Sequence, residues 1–389
     1  MGSQSSFLAS LDDLHEVARR ETALSDFGDP SYLENLRFLL RCYDEESQLG
    51  EEGRASTRAT LVGCLKSRLY TQDRLARYPE CSTAPLERPL LVMGLARTGT
   101  TALHKLLAAD PHAQALEYWL GSAPDVRPPR EEWPSHPGYR AAAAELQRIY
   151  AHSPQIESIH PMQPDEADEC RLLFMQDFLS HTFSFNATLP SYESWLFEHD
   201  MRASYLRYRD NLRLIGAREP EKRWTLKNSS HLWAMEALLE AIPGCRLVQT
   251  HRNPVEFIAS ISSLVYHMRR ISEPEIRKEA VGRQQLDAWA RILAMNMRSR
   301  RRLPNRVCDI HFETFSRDPI GTLRRIYEHF DLLWTPETER NVRAWAQQNR
   351  KDQHGEHRYS ALEYGLREEE IAERFREYIE WETEIRHAG

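Results

Sequence analysis

The sequence predicts an α/β protein: a parallel sheet with helices on both faces, with a helical N-terminal region and a large helical insertion. Three observations carry this reading. Short apolar runs of strand length, "PLLVMG" (89–94), "RWTLK" (223–227), "CRLVQT" (245–250) and "RVCDIHF" (306–312), are each followed by a stretch with helical spacing. Strands that alternate with helices pair in parallel, because each crossover helix returns the chain across a face of the sheet. Residues 5 to 80 contain no strand pattern, and apolar positions there recur at three- and four-residue steps.

In chain order, "YLENLRFLLRCYDEESQL" and "TLVGCLKSRLYTQDRL" are the helical core of the N-terminal region, which spans residues 1–85. "PECSTAPLERP" ends it with three prolines. Residues 86–389 form the α/β domain. Its first strand runs into the helix "TTALHKLLAAD", and an insertion of about 111–220 follows. The insertion opens with the proline-rich "SAPDVRPPREEWPSHPG" and closes with helices expected around 165–180 and 201–216. "HLWAMEALLEAI", "PVEFIASISSLVYHM" and "DPIGTLRRIYEHFDL" are the helices after the remaining strands. The region and the domain are expected to form one compact unit.

Composition narrows the function. Hydrophobic residues make up 41 % and charged residues 28 % of the 389, as in ordinary globular proteins. A net charge of −7 argues against a nucleic-acid binder. No apolar run approaches the ~18 residues of a membrane span, so stable membrane insertion is not expected. The first residues lack the basic start and apolar stretch of a signal peptide. The six cysteines are scattered without C-x-x-C pairs. Together these predict a cytoplasmic protein with reduced thiols. No His/Cys arrangement has metal-ligand spacing, so no metal is expected.

The chemistry gathers at strand ends. "GLARTGTT" (94–101) has the two glycines of a phosphate-binding loop, Gly94 and Gly99, and a final hydroxyl at Thr101. Thr100 stands where a nucleoside triphosphatase has its lysine. The loop leads into a helix N-terminus, whose N–H groups and dipole attract an anion. Arg97 adds a permanent cation and Thr98, Thr100 and Thr101 add hydroxyls. Without the lysine the loop suits one or two tetrahedral anionic groups and does not need Mg²⁺. In "THRNPVEFIASISSL" (250–264) Arg252 ends a strand, Pro254 starts a helix and Ser260 lies two turns along it. Arg252 and Ser260 can converge on a second anion. Lys227 ends the strand "RWTLK", where a cation can stabilise developing negative charge.

These motifs in this order resemble the PAPS-dependent sulfotransferases, and the loop "RTGTT" resembles the bacterial branch of that family. "WTLKNSSHL" (224–232), "FETFSRDPIGTLRRIY" (312–327) and "HGEHRYSALEYGL" (354–366) are similar to that branch as well. The resemblance implies a P-loop-like sulfotransferase fold and 3′-phosphoadenosine 5′-phosphosulfate (PAPS) as sulfuryl donor, with PAP as product. It implies a small, apolar acceptor bearing a hydroxyl or an amine. It assigns Gly94, Arg97, Thr98, Gly99, Thr100 and Thr101 to the 5′-phosphosulfate, and Arg252 and Ser260 to the 3′-phosphate. A basic C-terminal loop with Arg350, Lys351, His354 and Arg358 would close over that phosphate.

Cytosolic sulfotransferases have a Lys–x–His unit at the strand end, but here Ser229 takes the histidine's place. The general base is then either His231, two residues on, or Glu166 in the acidic segment "HPMQPDEADECRLL". His231 is favoured because a strand fixes its distance from the loop. The aromatic stretch 174–200 suits an apolar acceptor pocket, although core packing accounts for most of it. A P-loop kinase or NTPase is the first alternative, weakened by Thr100. A non-catalytic nucleotide-binding module is the second, weakened by the intact Arg97, Lys227 and Arg252. A homodimer is compatible with the sequence, which does not set the oligomeric state.

Overall fold

A computed structural model describes residues 6–152, 162–303, 306–349 and 360–388. Its contacts divide the chain into two units. The first comprises Met1–Leu86, Glu117–Pro220 and His267–Ile276; the second comprises Glu87–Leu116, Glu221–Tyr266 and Arg277–Gly389.

The second unit holds the sheet. Five parallel strands, β1 (Leu90–Gly94), β2 (Ala113–Gln114), β3 (Arg223–Lys227), β4 (Arg246–His251) and β5 (Val307–His311), lie in the order β2-β3-β1-β4-β5. Four are the strands read from the sequence. The fifth, β2, is an edge strand of two residues, too short to carry any periodicity. It exists because Ala113 and Gln114 pair with Arg223 and Trp224 of β3.

Every residue of β1 is buried, as a parallel sheet covered on both faces requires. On one face Leu90, Val92, Val248, Cys308 and Ile310 pack against Leu103, Leu106 and Leu107 of helix Thr100–Ala108 and Leu323, Ile326 and Tyr327 of helix Pro319–His329. Behind the β2 edge the Asp110 carboxylate is 2 % exposed, yet it has four donors. They are Arg223 Nη2 (2.9 Å), Tyr327 Oη (2.6 Å), Thr338 Oγ1 (3.1 Å) and the His112 amide (3.1 Å). This ties β3 to two helices and fixes the side of the sheet that carries Lys227.

The first unit is helical. It contains Leu11–Thr22, Tyr32–Glu45 and Glu51–Arg77 from the N-terminal region, and Pro137–His152, Pro190–Glu198 and Arg202–Ile215 from the insertion. The last agrees with the helix expected at 201–216. The one expected around 165–180 does not form: Pro164–Ala167 is a turn with an isolated bridge, Glu117 to Ala167, and only Arg171–Met175 is helical. The carbonyls of Pro164 and Glu166 accept from the Trp119 (3.1 Å) and Tyr118 (3.2 Å) amides. They cap the helix Tyr118–Ser122, and that use of the backbone prevents a helix at 165. The aromatic stretch of the insertion is core. Phe174, Phe178, Phe183 and Tyr192 are each at most 1 % exposed.

All six cysteines are buried. No helix among the described residues is long and apolar enough to cross a membrane.

Candidate active site

The carboxyl ends of β1, β3 and β4 are adjacent in the sheet, and each carries one of the motifs. The register places Lys227 of β3 beside Val92, and Gly94 of β1 beside Thr250.

Gly94 is required by this pairing. A Cβ there would run into Thr250 Oγ1 and lie 2.9 Å from the Thr250 carbonyl, so glycine permits the close approach of β1 and β4. Gly99 has φ +79° and precedes the first helical residue, Thr100; a Cβ would meet the rings of Phe312 and Phe315 at 3.2 Å. Arg97, which is not a glycine, also has a left-handed backbone, φ +64°. Such a conformation costs on the order of 1–2 kcal/mol and needs support from its surroundings. The support is the hydrogen bond from Arg252 Nη1 to the Arg97 carbonyl, 2.8 Å.

The three loop threonines have different roles. Thr98 is fully buried; its hydroxyl donates to the Leu95 carbonyl (2.6 Å) and pairs with Thr250 Oγ1 (2.5 Å), which pins the loop to β4. Thr100 is buried at the helix start, and Thr101 is exposed beside it. Lys227 Nζ donates to Thr101 Oγ1 at 3.4 Å, so the cation of β3 stands at the helix N-terminus behind the loop.

The two anion motifs interlock. Arg97 Nε donates to Ser260 Oγ (3.3 Å), while Arg252 reaches the Arg97 backbone. The Arg252 guanidinium also lies 4.4 Å from the Phe312 ring centroid and donates to Glu256 Oε2 from Nε (3.0 Å) and Nη2 (2.8 Å). Sequence reading singled out neither Phe312 nor Glu256. Glu256 had a signal, an acid four residues after an arginine at a helix start. Phe312 had none, because only the packing of β5 brings it under Arg252.

His231 lies in the short 3₁₀ turn Ser229–Leu232 that follows β3 and is fully buried. Asn228 sets this turn. Its amide donates to the Val92 carbonyl (3.1 Å), and its side-chain oxygen accepts from the Ser230 amide (3.0 Å). The sheet unit thus brings together Gly94 to Thr101, Lys227, His231, Arg252 and Ser260. Glu166 belongs to the first unit, where it is an exposed turn residue and not the helical one expected. Arg350, Lys351, His354 and Arg358 lie outside the described residues. Among the described residues no group of three or more His, Cys, Asp or Glu is placed to hold a metal ion.

A buried polar cluster anchors the strand end before Arg252. His251 Nε2 bonds Asp309 Oδ1 (2.8 Å), its Nδ1 bonds Tyr378 Oη (2.9 Å), and Arg300 holds both Asp309 oxygens (2.9 and 2.8 Å). Burial alone would raise the Asp309 carboxyl. Hydrogen bonds from His251 and Arg300 outweigh it and hold the group well below the usual carboxylate range. Burial lowers the His251 imidazole, against the pull of Asp309. The neutral ring therefore donates from Nε2 to Asp309 and accepts at Nδ1 from the tyrosine.

The unfolded chain binds a proton at this histidine near pH ~6.5 and the folded chain only at lower pH, so stability falls as pH drops below ~6.5, by up to ~1.4 kcal/mol per pH unit per such group. His15, His136 and His199 are lowered by burial too and share the effect. His251→Gln is expected to flatten the fall in unfolding free energy below about pH 6.5, by at most one proton. Denaturant titrations at several pH values measure this, and an unchanged slope would mean that the folded chain binds this proton as readily as the unfolded one.

Comparison with known proteins agrees with this geometry. Residues 89–336 match the model of the sulfotransferase family. The chain is 25 % identical over 285 residues to the omega-hydroxy-beta-dihydromenaquinone-9 sulfotransferase Stf3 of Mycobacterium bovis, a match covering 64 % of each chain. It therefore spans a little under two thirds of that relative's length. The crystal structure of sulfotransferase STF1 from Mycobacterium tuberculosis H37Rv superposes with a TM-score of 0.87 at 38 % identity, over 95 % of this chain and 99 % of that one. Sulfotransferase STF9 from Mycobacterium avium gives a TM-score of 0.87 at 28 % identity, over 95 % of both chains. The fold is the sulfotransferase fold, and the chain belongs to the sulfotransferase family of enzymes.

Proposed function

We propose that this protein transfers a sulfuryl group from PAPS to the hydroxyl of a small, apolar acceptor, releasing PAP. The observation that carries the reading is the interlocked pair of cationic sites at one sheet edge. Arg97, Thr101 and Lys227 lie at the N-terminus of helix Thr100–Ala108, while Arg252 precedes helix Pro254–Ser272 and Ser260 lies two turns along it. This donor set fits a nucleotide with two separated anionic groups, one at the 5′ end and one on the 3′ oxygen. PAPS supplies the activated sulfuryl group.

The residues of the chain then have distinct tasks. The N–H groups at the start of helix Thr100–Ala108, with Arg97 and Thr101, hold the 5′-phosphosulfate. Lys227 follows the charge that develops on the bridging oxygen as the bond to sulfur breaks. Arg252 and Ser260 hold the 3′-phosphate, which distinguishes PAPS from ATP. His231, or Glu166, takes the proton of the acceptor hydroxyl. The Mycobacterium bovis relative is named for an omega-hydroxylated dihydromenaquinone, which supports a hydroxyl-bearing apolar acceptor here.

The test is binding followed by turnover. 3′,5′-ADP is expected to bind far more tightly than 5′-AMP or ATP, without added metal. Arg252→Ala is expected to lose roughly 1.5–3 kcal/mol on 3′,5′-ADP and little on 5′-AMP. Equal calorimetric affinities of the wild type for 3′,5′-ADP and 5′-AMP would remove the 3′-phosphate site. Tight ATP binding would favour the kinase reading. Absence of transfer from labelled PAPS across a panel of phenols, alcohols and lipids would favour a binding module.

A further inference from the structure

The guanidinium of Arg252 already carries a carboxylate. Nε and Nη2, the edge that offers two parallel N–H donors, both donate to Glu256 Oε2, at 3.0 and 2.8 Å. Nη1 is engaged by the Arg97 carbonyl at 2.8 Å, and one face of the group lies over Phe312. The Nε/Nη2 edge is the one best shaped for a bidentate phosphate. Glu256 stands in the first turn of helix Pro254–Ser272, and its side chain is 56 % exposed. An exposed pair of this spacing adds little to a helix. Its effect on an incoming anion is larger.

We propose that Glu256 is a specificity-determining residue that weakens the hold of this site on the 3′-phosphate. The inference rests on the reading of Arg252 as the 3′-phosphate ligand. A phosphate that takes the Nε/Nη2 edge must displace the Glu256 carboxylate or share the guanidinium with it. Sharing leaves the two anions about 5–6 Å apart, where they repel, and displacement gives up the two hydrogen bonds from Arg252 to Glu256. Glu256 also offsets the positive end of the helix dipole at the same place. The donor and the desulfated product share the 3′-phosphate, so both are held less tightly, which favours product release. Between turnovers the same carboxylate keeps Arg252 oriented.

Glu256→Gln tests this. Glutamine keeps the size of the side chain and can still accept from Arg252, so the change removes charge and little else. Calorimetric titration of wild type and variant with 3′,5′-ADP and with 5′-AMP is the measurement. The variant is expected to bind 3′,5′-ADP roughly three- to tenfold more tightly, with 5′-AMP changed by less than about twofold. The gain should shrink in about 0.5 M salt, because Glu256 faces solvent. Unchanged or weaker binding of 3′,5′-ADP by Glu256→Gln, in a protein whose wild type prefers 3′,5′-ADP, overturns the proposal and leaves the Arg252 assignment standing. A wild type that binds both nucleotides alike overturns the Arg252 assignment and this proposal with it. Glu256→Ala, which removes the acceptor as well as the charge, must change 3′,5′-ADP affinity in the same direction.

Discussion

His231→Ala is expected to lower turnover of PAPS about 10²–10⁴-fold while 3′,5′-ADP still binds, because the variant removes the general base favoured by our proposal and leaves the proposed nucleotide contacts in place. The expectation rests on how the turn after β3 is built. Asn228 fixes it twice, through its amide to Val92 and through its side chain to Ser230. Three residues, Asn228 to Ser230, separate His231 from Lys227, and all of them are held by the sheet or the turn. The ring is fully buried, which keeps bulk water from it. Glu166→Gln is the comparison. Its carboxylate is exposed and sits on a turn of the first unit. If His231→Ala turns over normally and Glu166→Gln does not, the base is the glutamate. If both variants fail with nucleotide bound, one group takes the proton and the other orients it or the acceptor, and a structure with bound acceptor separates the roles.

Lys227→Met is expected to lose about 10²–10³-fold in turnover, the usual effect of removing one preorganised donor from a developing negative charge. Methionine keeps most of the apolar stem that packs in this position, which is 4 % exposed in the wild type. The variant should therefore fold, and thermal unfolding checks that it does. Affinity for 3′,5′-ADP should change far less than turnover. A parallel loss in both would mean that Lys227 binds the nucleotide uniformly and has no particular role as the bond to sulfur breaks. Thr101→Val gives a second reading of the same site. It removes the hydroxyl that Lys227 reaches at 3.4 Å, so a loss that is non-additive with Lys227→Met would show the two acting together.

By itself the sequence determined the parallel α/β class, four of the five strands, and the helices that follow them. Each is a local pattern: an apolar run bounded by glycine or a charge, then helical spacing. It also determined the loop Gly94 to Thr101 and the Arg252–Ser260 motif, because glycines, hydroxyls and arginines at these intervals after strands have few other uses. What the pattern could not contain was decided by tertiary packing. β2 forms only because β3 offers it an edge. The expected helix at 165–180 is lost because Pro164 and Glu166 lend their carbonyls to the start of another helix. Gly94 and Thr98 look like ligand residues in sequence, yet the first is required by the approach of Thr250 and the second is tied to it. Arg97 and Arg252 were read as belonging to separate sites, and in the fold each reaches into the other's motif. The His251–Asp309–Arg300–Tyr378 cluster joins residues from two strands and two helices. Side-chain hydrogen bonds of this kind depend on distances in space, which spacing along the chain does not encode.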